Sequence, residues 1–233
     1  MGFRYQAALS SGVVGMEVAG KLKGRRDYTL GEEIANSITH GIGVGLSVAA
    51  LTMLVIYGLR SGDVWRLASA IVFGIALVLE YTASTLYHSF PQPKVKHVFK
   101  VLDHAGIYML IAGSYTPFTL VTIRASGGWW WFVIVWALAI AGIATEAFWT
   151  YRPRWLSAVV YLAMGWIVVL AIGPIVANLD PAGVSLLVAG GLAYTLGTIF
   201  YVLQRIPYFH AIWHLFVLGG SICHFLAVIL FVM

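Results

Sequence analysis

The stretch His210-Ala-Ile-Trp-His214-Leu-Phe-Val-Leu-Gly-Gly-Ser-Ile-Cys-His224-Phe-Leu-Ala-Val-Ile-Leu-Phe-Val-Met233 decides the fold. At about 1.5 Å per residue its 24 residues make a helix of roughly 36 Å, slightly more than the hydrocarbon thickness of a bilayer. It reads as a membrane-spanning helix with two imidazoles in its first turn. Imidazoles cost free energy in lipid and rarely persist there without a partner. The i, i+4 spacing puts His210 and His214 on one face, one turn apart, as a bidentate metal clamp requires.

Working outward, similar segments fall at roughly 34–59, 67–88, 101–123, 129–149, 155–177 and 183–203. The chain of 233 residues is 61% hydrophobic and 10% charged, more apolar surface than a soluble domain of this size conceals. These features predict an all-α integral membrane protein, a seven-transmembrane helix bundle over 28–233 preceded by a basic tail at 1–27. Lys21, Lys23, Arg25 and Arg26 in that tail, with no clean apolar core before a cleavage site, read as a cytoplasmic extension rather than a signal peptide. With the N-terminus inside, eleven of the 14 Lys and Arg residues fall on the cytoplasmic side, which puts the C-terminus outside. The net charge of +5 then reflects topology and contact with anionic inner-leaflet lipid, not nucleic acid. Trp65 and Trp129-Trp130-Trp131 mark outer ends; Trp149, Trp155 and Trp213 mark inner ends. A single cysteine, Cys223, excludes an internal disulfide and a cysteine-rich metal site.

With this topology, polar residues from four helices share one depth on the cytoplasmic side. The second segment ends with Ser84, Tyr87 and His88, and the third begins with Asp103 and His104. The first begins with Glu33, Asn36 and His40, and the last with His210 and His214. His88, His210 and His214 supply three nitrogens, and three neutral imidazoles plus one water form an open tetrahedral zinc site. Asp103 ligates directly, or holds and deprotonates the water. Ser84, one turn from His88, is placed for an oxyanion or an outer hydrogen bond, and Tyr87 shares that role. The scarcity of carboxylates and of cysteine argues against calcium and iron–sulfur.

Other polar positions read differently. Glu80, at i, i+4, i+8 with Ser84 and His88, lies about 12 Å deeper than His88 and lines a cavity or moves a proton. His40 is expected to bond Asn36, one turn away, and His104 and His224 to bond neighbouring helices. Glu146, at the inner end of the fourth segment, is expected to reach water. Pro117 and Pro174 are expected to kink their helices. Retinal is excluded, because no lysine follows Lys100 to form its Schiff base.

These residues form a familiar set. Ser84-x-x-x-His88, Asp103-His104-Ala-Gly-Ile-Tyr and His210-Ala-Ile-Trp-His214 resemble the signature patches of the haemolysin III family. So do Glu33-x-x-Asn36-x-x-x-His40-Gly and Gly113-Ser114-Tyr115-Thr116-Pro117. That family is grouped with the progestin and adiponectin receptors and, more distantly, the alkaline ceramidases. The resemblance covers about residues 28–233. It implies seven spans, a cytoplasmic N-terminus and zinc on His88, His210 and His214, with Asp103 reached directly or through a water.

Three functions follow as expectations. The first is a zinc-dependent amidase or esterase acting on an inner-leaflet lipid in membrane homeostasis, in a bacterial inner membrane. The second is a non-enzymatic receptor or regulator in which zinc ties helices together. The third is a haemolysin-like cytolytic or pore-forming protein, which the sequence supports least. An oligomer is compatible with all three.

Overall fold

The computed structural model describes residues 28–203 and 205–233; the basic tail predicted at 1–27 lies outside the described residues. Among the described residues eight α-helices follow one another: α1 Leu30–Ser61, α2 Val64–Ser89, α3 Pro93–Pro117, α4 Gly128–Phe148, α5 Arg154–Gly165, α6 Ile172–Asn178, α7 Pro181–Val202 and α8 Phe209–Phe231. Six spans among the described residues are long and apolar enough to cross a membrane, with α5 and α6 together forming one, Arg154–Asn178. The protein is an all-α, multi-pass membrane protein. The seventh long helix, α3, is too polar to join that set; it starts two turns before its apolar segment, with Pro93 in its first turn and Lys94, Lys96, Lys100 and Asp103 following.

Each boundary has a local cause. Thr29 caps α1 in a reciprocal box: its hydroxyl accepts from Glu32 N–H and the Glu32 carboxylate accepts from Thr29 N–H. Gly62 ends the helix at φ 67°, where a side chain would be strained. Asp63 and Asp180 cap α2 and α7 through side-chain oxygens. After Pro117 the chain widens into a π-turn, Phe118–Thr122. Between α5 and α6 it tightens into a 3-10 turn, Trp166–Ala171. There Tyr115 Oη donates to Gly165 C=O at 2.6 Å and accepts Val168 N–H at 2.8 Å, so a side chain takes over bonds the helix has lost.

The first half of α1 turns polar residues inward and apolar ones outward, while a hydrophobic cluster that includes Leu54, Phe73 and Leu77 fills the interior elsewhere. On α1, Glu32, Asn36, His40 and Ser47 are buried, while Ile34, Ile38, Ile42 and Leu46 face outward. A soluble helix shows the reverse; lipid as the solvent explains this one. Helix α2 packs between α1 and α3, α7 pairs with α8, and α8 closes back on α1. Glycines allow the close crossings: a Cβ on Gly43 would overlap the Tyr81 ring, and one on Gly113 would press on Ala76. The α1–α8 contact brings the two ends of the bundle together and sets the site.

Candidate metal centre

The ligand nitrogens of His88, His210 and His214 come within 4.8 Å of one another, and all three residues are buried. Helix α2 supplies the first at its last turn; α8 supplies the other two at its first. The rings approach with centroids 5.2 Å apart for His88–His210 and His88–His214, and 4.6 Å for His210–His214.

Hydrogen bonds from α1 set two of the three tautomers. His88 Nδ1 lies 2.6 Å from Glu33 Oε2 and 3.4 Å from Asn36 Nδ2. The shorter contact decides: Nδ1–H donates to the carboxylate, leaving the Nε2 lone pair bare. That Nε2 is buried with no partner among the described residues. Lys96 Nζ donates to the other Glu33 oxygen at 2.8 Å. His214 Nδ1 lies 3.2 Å from the Asn36 carbonyl and 3.1 Å from Thr39 Oγ1. The Thr39 hydroxyl donates backwards to Ala35 or Asn36, so His214 Nδ1–H is the donor and its Nε2 is free. A carboxylate or carbonyl behind each imidazole is the usual support of metal-binding histidines. The His210 ring is held by stacking on Tyr28 at 5.2 Å, and its Nδ1 is buried without a partner among the described residues. Three convergent imidazoles, with His88 Nε2 and His210 Nδ1 buried and without a partner among the described residues, fit a divalent cation.

The remaining predicted residues fall around this cluster. Asp103 is buried and lines the same cavity as His210, His214 and Glu80, but it is not one of the three convergent groups. Ser84 is fully buried one turn from His88, its Oγ without a partner among the described residues, and it is not part of the cavity wall. The Tyr87 ring packs against His88 at 4.5 Å, beneath the Lys96 ammonium. Glu80 lines the cavity, with its carboxylate against Gly106 of α3.

Two expectations are corrected. His40 does not bond Asn36: its ring stacks on His214, centroids 3.5 Å apart at 14°, because the Asn36 side chain turns to His88 instead. Glu146 does not reach water. It is fully buried, accepts from His104 Nδ1–H at 2.7 Å and pairs with Arg152 at 2.7 Å. Arg152 also donates to the Tyr108 and Ser157 hydroxyls, each at 2.8 Å. This ionic network ties α3, α4 and the start of α5 beside the cavity that His104 lines. The available signal was depth: His104, Glu146 and Arg152 all lie at one end of their segments. His224 does bond its neighbouring helix, donating from Nε2 to Leu187 C=O at 3.3 Å.

Fold and site together define a multi-pass α-helical membrane protein with a three-histidine group able to hold a metal ion. The family model described as haemolysin-III related matches residues 28–225, so the chain belongs to the haemolysin III family. It is 48% identical over 204 residues to a protein named hemolysin-3 homolog from Bacillus subtilis, covering 88% of this chain and 96% of that one. It is 47% identical over 202 residues to hemolysin-3 of Bacillus cereus, covering 87% and 92%. The human monocyte to macrophage differentiation factor is 31% identical over 215 residues, covering 88% and 86%.

Proposed function

We propose that the protein is a metal-dependent hydrolase of acyl lipids, an amidase or esterase, working at the cytoplasmic leaflet of a bacterial plasma membrane. The observation that carries this reading is a set of three convergent imidazoles, two of which, His210 and His214, line a largely apolar cavity with Asp103 in its wall. Structural zinc sites are usually closed by four protein ligands. Three converge among the described residues, which favours a hydrolase over a regulator whose metal ties α2 to α8.

Zinc suits three imidazoles with a fourth position open, and when bound it polarises a carbonyl and lowers the pKa of water towards ~7. Asp103 takes the proton of the attacking water and returns it to the leaving amine or alcohol. Glu33, Asn36 and Thr39 hold two ring directions throughout. The apolar part of the cavity takes the acyl chain and keeps water from it.

The same reading makes α3 the seventh span, with Lys94, Lys96 and Lys100 at the cytoplasmic interface against anionic lipid. An odd number of spans puts the C-terminus outside. The bacterial membrane is supported by the two Bacillus relatives. The test is fatty-acid release from a panel of ceramides, lysolipids and acyl amides by zinc-loaded protein. Release by wild type, abolished in Asp103→Ala with zinc retained, is expected. No release from any panel member sinks the hydrolase.

A further inference from the structure

A second cavity continues the first through the bundle. The first is headed by His210, His214 and Asp103, and the second reaches Phe118, Ile123 and Trp131 towards the far end of α3. Ser114, Tyr115, Gly165, Trp166, Gly191 and His224 line both, so the two meet there. His224 is ten residues beyond His214 on α8, about 15 Å along the helix axis. Ser114 is eleven beyond Asp103 on α3, about 16 Å along, which puts the junction at matching depth.

The tautomer of His224 is set by its partner. Nε2–H must donate to the Leu187 carbonyl, so Nδ1 presents a bare lone pair. That Nδ1 is buried and accepts from nothing among the described residues. The other polar groups at the junction are already engaged. Ser114 Oγ donates to Ile111 C=O at 2.8 Å and Tyr115 Oη to Gly165 C=O at 2.6 Å. Trp166 Nε1–H donates to Thr195 Oγ1 at 2.9 Å, and Tyr194 Oη shares a hydrogen bond with Ser221 Oγ at 2.9 Å. The ring itself is seated: Tyr194 meets it edge-on at 5.4 Å, and a Cβ on Gly190 would overlap it. An imidazole with an orphaned acceptor is costly in lipid unless a donor arrives.

We propose that His224 Nδ1 receives a hydroxyl carried on the chain of the bound lipid, so that the cavity selects hydroxylated long-chain acyl groups. The proposal rests on the acyl-lipid reading of the site and extends it to which chains are preferred. With the acyl head at the three histidines, the hydroxyl lies about 15 Å down the chain.

The experiment is displacement of a fluorescent fatty acid from purified full-length protein by stearate, 3-hydroxystearate and 12-hydroxystearate. One hydrogen bond predicts about five- to tenfold tighter binding of 12-hydroxystearate than of stearate. 3-Hydroxystearate, with its hydroxyl near the head, gains nothing from His224. His224→Phe abolishes the preference, read as the ratio of 12-hydroxystearate to stearate affinity within that variant, and His224→Gln, which keeps an acceptor, retains part of it. Equal affinities for stearate and 12-hydroxystearate in wild type overturn the proposal and assign the lone pair to water, while the acyl reading stands. An undiminished preference in His224→Phe overturns the role of His224. Failure of the protein to bind any fatty acid overturns the proposal and the acyl reading together.

Discussion

Replacing Glu33 by glutamine separates the ring that binds from the group that aims it. Glu33 touches His88 Nδ1 at 2.6 Å and Lys96 Nζ at 2.8 Å. Glu33→Gln keeps the shape and an acceptor but removes the charge. Hydrogen bonds to charged groups contribute ~1.5–3 kcal/mol and neutral ones ~0.5–1.5, so about 1–1.5 kcal/mol of support for the His88 ring is lost. That corresponds to about five- to fifteenfold weaker metal binding, overlapping the low end of the ~10–100-fold typical of outer-shell partners. The assay is zinc competition against a fluorescent chelator on purified protein, with Lys96→Met in parallel. Lys96→Met leaves the carboxylate to His88 and is expected to change affinity less than about threefold, as for a partly exposed ion pair. Unchanged zinc affinity in Glu33→Gln would refute the reasoning, since the Nδ1 contact would then have no bearing on Nε2. Complete loss, equal to His88→Ala, would refute it in the other direction by making Glu33 a ligand.

Elemental analysis should find about one metal ion per chain, absent from His88→Ala and His214→Ala and retained in Asp103→Ala. Chelation should lower the unfolding temperature in detergent, and zinc, but not magnesium, should restore it. Glu146→Gln removes the carboxylate opposite the buried Arg152 and should cost about 3 kcal/mol; Glu146→Gln/Arg152→Met should recover part of that, both read by thermal unfolding. Gly43→Val drives a side chain into Tyr81 and should cost about 1–3 kcal/mol by the same measurement.

The spans were legible because lipid imposes long apolar segments, and the predicted borders lie within a turn or so of most helix ends. The exception is α3, whose charged first turns carry no apolar signal; they form helix because Pro93 starts it and Lys96 reaches Glu33. The histidine cluster was legible because His210 and His214 share a helix face and His88 ends a segment at the same depth. What hydropathy and spacing could not give were side-chain directions between helices. His40 and Asn36 are one turn apart, yet each turns to a different histidine on another helix. Glu146 lies at an end where water was expected, but a chain reversal folds Arg152 back over it.

The bond from Tyr208 N–H to Glu32 Oε1, 3.0 Å long, joins the start of α1 to the loop that delivers His210. During synthesis those partners leave the ribosome far apart. His210 follows His88 by 122 residues, about 6–25 s at ordinary elongation rates. For that interval the nascent chain owns one imidazole of three, and Glu32 on its first helix waits for Tyr208. Only the last helix to enter the bilayer turns a scattered set of nitrogens into a chelator. Any cation held by all three histidines therefore enters only after α8 is made.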